Sequence, residues 1–448
     1  MGFPTDFIWG VSTASFQVEG GSDSSDRGLS VWDSFCETPG KVFGSHHARI
    51  SADHYHRLDE DVKIMADLGV KAYRFSISWP RILMDGTGRI NTKGIDFYDR
   101  LIHLLLSHSI EPYITVFHWD LPYALHVRGG WTNPSVSDWI EEYTKILMDS
   151  FSDRVTQWIT LNEPQCFINE GYKTGQHAPG HTSSDREMAL AVHNALLAHG
   201  KIARTIRQHA KKTPRITFTQ STPMSSIPSS DKDIDAARRR QFSLPDAFAS
   251  SGVIYTDPIF KGHYPEEYLL RFESILPKMG SDDMKIISQP IDYLGINLYS
   301  GDFVSESPDG GILVHDRVPG HAKTANGWPV RPECMYWANR FCYERYGMPI
   351  LVTENGMSGN DWIHSDGKVH DHDRIDHIRL YLSFLQQAIE DGIDIRGYFH
   401  WSLLDNFEWA RGYFERFGLV YVDFLTGERT IKDSGILYSK IISANHVC

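Results

Sequence analysis

The feature that most constrains this chain is a repeated order of elements. Eight short apolar, β-rich runs alternate with amphipathic stretches from one end to the other: 7–12, 72–78, 112–117, 155–162, 215–220, 293–297, 350–354 and 395–400. Strands with helices between them cannot pair as tight hairpins, so the order implies a parallel sheet. Helices are expected over 51–68, 101–107, 136–151, 189–209, 332–346 and 374–390. The first carries apolar positions at Leu58, Val62, Met65 and Ala66, with Gly69 as its stop. Eight strand–helix units make a (β/α)₈ TIM barrel with extended βα loops, a single catalytic domain over 1–448. An open doubly wound sheet is the alternative fold, but no Gly-rich phosphate loop follows any strand.

In a barrel of this kind the reactive side chains sit at the C-terminal ends of the strands. Those ends carry Arg74 to Trp79, His118-Trp119, Asn162-Glu163, Asn297 to Tyr299, Glu354 and His400-Trp401. Two strings stand out: Thr160-Leu161-Asn162-Glu163-Pro164 and Thr353-Glu354-Asn355-Gly356. Each places a glutamate where a buried strand ends. Two carboxyl groups from separate strand ends can flank one scissile bond, one protonating the leaving oxygen while the other acts on the opposite face of a sugar.

Composition narrows the partners. A net charge of −13 and a pI near 5.9 disfavour nonspecific nucleic-acid binding. Arg238, Arg239 and Arg240 form the one notable basic run, read as a solvated helix face. No stretch approaches the roughly 18 apolar residues of a membrane span. Five scattered cysteines, Cys36, Cys166, Cys334, Cys342 and Cys448, form no CxxC pair and read as reduced thiols. Without a leader-like N-terminus, a cytoplasmic location is expected. An oligomer is neither required nor excluded. Asp53, His54 and His56 superficially suggest a metal site, but on a helix positions i and i+2 do not share a face. No metal and no cofactor are expected. His46 and His47 fall in a loop and receive no role.

Longer strings now bear on identity. They run in order from Phe7-Ile8-Trp9-Gly10 and Ser15-Phe16-Gln17-Val18-Glu19-Gly20 through Asp53-His54-Tyr55-His56-Arg57 and Tyr73-Arg74-Phe75-Ser76-Ile77-Ser78-Trp79-Pro80-Arg81. His118-Trp119-Asp120-Leu121-Pro122 and Trp401-Ser402-Leu403-Leu404-Asp405-Asn406-Phe407-Glu408-Trp409 follow. On these strings the chain resembles glycoside hydrolase family 1, the β-glucosidase family.

The resemblance implies a (β/α)₈ barrel that hydrolyses β-glycosides with retention, Glu163 being the acid/base and Glu354 the nucleophile. The plant thioglucosidase branch carries Gln in place of the acid/base, so the intact pair implies an O-glycosidase. Arg74 and Tyr299 would support the nucleophile. Gln17, His118, Trp119, Asn162, Asn297, Glu408 and Trp409 would grip the nonreducing sugar above Trp401. Trp328 would be the platform for the leaving group, with Cys166 and His177 bordering the same space. The phospho-β-glycosidase branch has Ser, Lys and Tyr near Glu408, where this chain reads Asn406-Phe407-Glu408-Trp409. A charged Glu408 would repel a 6-phosphate.

One segment departs from the family pattern. Residues 242–252 look long, and Pro245 and Gly252 make them turn-prone. In the family this region borders the site entrance, so it bears on leaving-group preference. The expected partner is a small β-glycoside such as cellobiose, a short cello-oligosaccharide, or an aryl or alkyl β-glucoside. A transglycosylase using the same glutamates and a catalytically silent glycoside-binding protein are the competing readings.

Overall fold

The structure, a computed structural model, describes residues 2–21 and 26–447. Eight parallel strands close into a barrel: β1 (Ile8–Ser12), β2 (Ala72–Ser76), β3 (Glu111–Phe117), β4 (Gln157–Asn162), β5 (Arg215–Ser221), β6 (Tyr293–Asn297), β7 (Ile350–Asn355) and β8 (Ile395–Trp401). Each pairs with its sequence neighbours, and β8 closes onto β1 with Ile8 opposite Gly397 and Ser12 opposite Trp401. All residues of β2, β6 and β7 are buried, which explains why these runs are rich in apolar residues and lack the polar solvent face of an alternating strand.

Each strand is followed by an outer helix: α1 (Leu58–Asp67), α2 (Thr92–Ser107), α3 (Val136–Phe151), α4 (Asp185–His209), α5 (Val253–Lys261), α6 (Cys334–Tyr346), α7 (His372–Glu390) and α8 (Asp433–Ala444). On α3, the buried Val136, Ile140, Tyr143, Leu147 and Phe151 form the stripe that meets the barrel and α4. The architecture is a (β/α)₈ TIM barrel.

Several boundaries differ from the sequence reading, each for a local reason. The helix expected over 51–68 begins only at Leu58, because Ser51 (φ 52°) and Asp53 (φ 56°) are left-handed. His54 and His56 therefore precede the helix, and helix faces do not separate them. His54 is buried and bonds Asp61 through Nδ1 at 2.7 Å, and Asp61 also takes Arg429 Nε at 2.8 Å, so this motif ties the chain's two ends together. Helix α4 starts at Asp185, four residues before the expected start, through a capping box in which Ser184 and Glu187 satisfy each other's backbone N–H. Helix α2 likewise extends nine residues upstream of its expected start.

A small three-stranded sheet of Ser226–Pro228, Asp302–Glu306 and Ile312–Val314 was not foreseen. It corrects the reading of the arginine run. Arg240 is tucked against this sheet, bonding Asp302 at 2.7 Å and Ser226 at 3.0 Å, while Arg238 pairs with Glu344 at 2.8 Å. Cys334 and Cys342 both lie buried on α6, and Cys36 and Cys166 are also free thiols; Cys448 lies outside the described residues. Among the described residues, no helix is long and apolar enough to cross a membrane.

Candidate active site

The C-terminal ends of the strands open into a cavity of about 430 Å³ that both Glu163 and Glu354 line. Local backbone delivers each one. Glu163 bonds Thr219 O of β5 through its own N–H at 3.0 Å, then adopts φ 45°. Pro164 follows at the first position of a short helix, Pro164–Ile168, so the chain turns abruptly and leaves the carboxyl at the strand mouth. Beside Glu354, the register of β7 shifts against both neighbours between Val352 and the strand end, an irregularity that re-aims the side chains there. Gly356 is required just beyond. A Cβ at that position would lie 1.9 Å from Trp401 O.

Trp119 (φ 77°) and Trp409 (φ 49°) share the left-handed conformation with Glu163. Bulky residues rarely occupy it, at a cost of about 1–3 kcal/mol each. That three of the eight non-glycine cases among the described residues surround one cavity marks it as the functional centre.

A hydrogen-bond lattice holds the two carboxyls in different environments. Arg74 is fully buried. It donates to Glu354 Oε1 at 2.5 Å, to Thr353 O at 3.2 Å and, through its other nitrogen, to Asn162 Oδ1 at 2.6 Å. Tyr299 donates to Glu354 Oε2 at 2.8 Å. Both oxygens of Glu354 are thus met by donors that favour its ionised form. Glu163 receives Asn297 Nδ2 at 3.0 Å, and Asn297 is itself oriented by Thr353 Oγ1 at 2.7 Å. Burial, and next the negative charge of Glu354, push the Glu163 carboxyl up to about 7, while Asn297, the Cys166 thiol and Arg74 pull the other way. The two carboxyls therefore sit in different environments, and Glu163 is the one set to hold and give a proton.

The rest of the cavity suits a polyhydroxylated ring. Asn162 donates from Nδ2 to His118 Nε2 at 3.0 Å, and Trp119 donates to Asn162 O at 2.9 Å. Burial and Arg74 hold His118 far below its ordinary pKa, so it is neutral. Gln17 donates to Asn406 Oδ1 (3.0 Å), Phe407 O (2.9 Å) and Glu408 Oε2 (3.3 Å). Gln17 Oε1 and His118 Nδ1 are buried and find no partner among the described residues, although buried polar atoms are normally paired. Trp401 is buried at the floor, 6.0 Å from the His118 ring, and Trp409 packs 4.6 Å from both Trp119 and Trp32. Trp328 is 37% exposed at the mouth, 5.0 Å from Tyr299.

Every side chain singled out in the sequence as catalytic or sugar-gripping lies in this cavity or touches a residue that does. Two expectations are modified. Burial, followed by the charges of Glu415 and Glu354, raises Glu408 to about 8. That shift weakens the negative charge on which repulsion of a 6-phosphate would rest. Segment 242–252 lines no part of the cavity. Instead Phe248 packs on Tyr268 and Phe272, and Arg271 donates to Leu244 O at 2.6 Å. Cys166 is closer to the chemistry than foreseen, since its thiol hydrogen-bonds Glu163. Arg317 and Asn326 also line the cavity from loops, and Arg411 from the short 3₁₀ helix Trp409–Arg411, where no periodic signal marks them. Among the described residues, no group of three or more His, Cys, Asp or Glu side chains is arranged to hold a metal.

Comparison with known proteins places the whole chain in one family. The family model described as glycosyl hydrolase family 1 matches residues 1–447. β-Glucosidase A of Thermotoga maritima is 43% identical over 446 residues, covering 99% of this chain and 98% of its own. The 1,4-β-D-glucan glucohydrolase of Thermotoga neapolitana is 43% identical with the same coverage. A solved structure of the β-glucosidase from Thermotoga maritima in complex with castanospermine has a TM-score of 0.91 at 43% identity, covering 100% of this chain and 99% of that one.

Proposed function

The chain belongs to glycosyl hydrolase family 1 and is a β-glucosidase; from that premise we propose that it acts by double displacement, with Glu354 as nucleophile and Glu163 as acid/base. The observation that carries this reading is the asymmetry of the two carboxyls. Glu354 is clasped by Arg74 and Tyr299, whereas Glu163 keeps its proton to about pH 7 beside it.

In the first step Glu354 attacks the anomeric carbon while Glu163 protonates the departing glycosidic oxygen, leaving a covalent glucosyl ester. The ester carries no charge. Burial still acts on Glu163, but the charge of Glu354 that also raised it is gone, so its pKa falls and its carboxylate takes a proton from water as that water attacks the anomeric carbon and the bond to Glu354 breaks, freeing its carboxylate. Cys166 and Asn297 both donate to Glu163 and so favour this second, ionised state. Asn162, pinned by Arg74 on one side and His118 on the other, presents its amide to the sugar's 2-hydroxyl, a contact that strengthens in the transition state.

The substrates are cellobiose, short cello-oligosaccharides and aryl or alkyl β-glucosides, taken from the nonreducing end, as the last step of cellulose degradation. Acceptor sugars at the open mouth near Trp328 give transglycosylation as a side activity. β-Galactosides and β-fucosides enter as poorer substrates, because few hydrogen bonds read one hydroxyl's orientation. The chain acts as one catalytic unit over 1–448, and its free thiols fit a reducing, cytoplasmic setting. A silent binder would not need one carboxyl clasped by Arg74 and Tyr299 beside a second whose proton is held to about pH 7.

The test is rescue. Glu354→Gly should be inactive on p-nitrophenyl β-glucoside and regain turnover with azide as α-glucosyl azide. Glu163→Ala should give β-glucosyl azide and keep more activity on activated aryl glucosides than on cellobiose. The opposite anomers would exchange the two roles.

A further inference from the structure

A second cavity, of about 570 Å³, opens on the same end of the barrel. It lies between the segment carrying Lys323, Thr324 and Ala325 and the loop joining β7 to α7. The two walls are stitched together: Ala325 N–H donates to Ser358 O at 3.2 Å and Asn326 N–H to Ser358 Oγ at 2.9 Å. Asn326 lines the catalytic cavity, so one strip of chain separates the two spaces.

Trp362 dominates the new cavity. It is 58% exposed, an unusual position for the largest aromatic side chain. It is also held in place. His364 stacks on it at 4.7 Å and 25°, and His370 packs edge-on to His364 at 5.0 Å. His370 is fixed in turn by Asp433 and Asp366. The indole is therefore a preset platform rather than a loose surface group.

Around it stand Lys323, Asn360, His372 and Asp373, all exposed, and no hydrogen bond or salt bridge joins their side chains to another described residue. At the floor, Arg374 is already neutralised by Asp361 at 2.8 Å and by Asp371. The lining thus has one free cation, one free anion, an amide, an imidazole and an aromatic face. That set lacks the concentrated positive charge a phosphate needs and the continuous apolar wall a lipid needs. It matches a neutral polyhydroxylated ligand, whose C–H face lies on an indole while its hydroxyls meet mixed donors and acceptors.

We infer that this cavity is a non-catalytic binding site for a β-linked glucan chain, with Trp362 as its stacking platform. It holds a chain beside the catalytic mouth without taking part in bond cleavage, which deepens the substrate reading above and rests on it only for the choice of glucan.

The test is native affinity electrophoresis in gels containing barley mixed-linkage β-glucan. The wild-type enzyme should be retarded relative to a glucan-free gel. Trp362→Ala should weaken the apparent affinity ~10-fold, the order expected for losing one aromatic stack. Trp328→Ala, at the catalytic mouth, should leave retardation unchanged. No retardation of the wild type, or retardation lost in Trp328→Ala and kept in Trp362→Ala, overturns the inference. Hydrolysis of p-nitrophenyl β-glucoside by Trp362→Ala should stay within about twofold of wild type, since the indole lies outside the catalytic cavity. Failure of the β-glucosidase reading would instead appear as wild-type enzyme that cleaves no glucoside, whatever the gel shows.

Discussion

Glu163→Gln should make the protein more stable at pH 8 and much less so at pH 5. The Glu163 carboxyl titrates at about 7 in the fold, against 4.5 for an ordinary glutamate. Between those values the unfolded chain has released the proton and the folded chain still holds it. The folded state therefore binds more protons, and stability falls as pH rises through this window. The stabilising contribution is complete below the unfolded value and is lost as pH passes the folded one.

At about 1.36 kcal/mol per pKa unit, wild type loses about 2.5 kcal/mol from this group between pH 5 and pH 8. Gln cannot ionise, so the variant escapes that loss and still accepts Asn297 through its amide oxygen. With an unfolding entropy of ~2.1 cal/mol/K per residue, a chain of 448 residues converts this difference to ~3 °C in Tm. Scanning calorimetry of both proteins at the two pH values reads it directly. An equal Tm change at both, or a lower Tm for Glu163→Gln at pH 8, would refute the claim that the fold holds this proton at an energetic cost.

Three further outcomes follow from the same lattice. The kcat/KM of the wild type on p-nitrophenyl β-glucoside should fall about tenfold per pH unit above pH 7, because Glu163 must be protonated in the free enzyme; a flat profile to pH 9 would contradict this. Cys166→Ala removes a donor from ionised Glu163, so that basic limb should move to higher pH, and Cys166→Ser should restore it; an unmoved limb would reduce the thiol to packing. Arg74→Met leaves the buried Glu354 without its cation, which should cost about 3–5 kcal/mol by denaturant titration and lower kcat by at least ~100-fold. Retained activity in that variant would argue against Arg74 as the group that holds Glu354 in place.

The barrel was legible because its strands are buried on both faces and read as short, mainly apolar runs between amphipathic stretches. The glutamates and their neighbours were legible because barrel geometry assigns function to strand ends, and Glu163, Glu354, Asn297 and Trp401 sit there. What escaped the reading depends on contacts between distant segments. The separation of the two carboxyl environments needs Arg74 from β2, Asn297 from β6 and Thr353 from β7 in one lattice, and no local spacing records that meeting.

Arg317, Asn326 and Trp362 lie on loops whose course is set by what they pack against. Arg240 looked like a solvated charge because Asp302, its partner, lies 62 residues away on an unforeseen strand. The start of α4 is the opposite case. Ser184-Asp185-Arg186-Glu187 is a capping signal written in the sequence, and the apolar pattern alone placed that helix too late.

The central claim is that Glu354 forms a covalent bond to the sugar, so that two inversions yield net retention. Proton NMR of the anomeric region, recorded in the first minutes of p-nitrophenyl β-glucoside hydrolysis, tests it most directly. The account predicts that β-glucose appears first and α-glucose only later, as mutarotation proceeds. α-Glucose as the first product would mean that water, rather than Glu354, attacks the substrate, and would contradict the account.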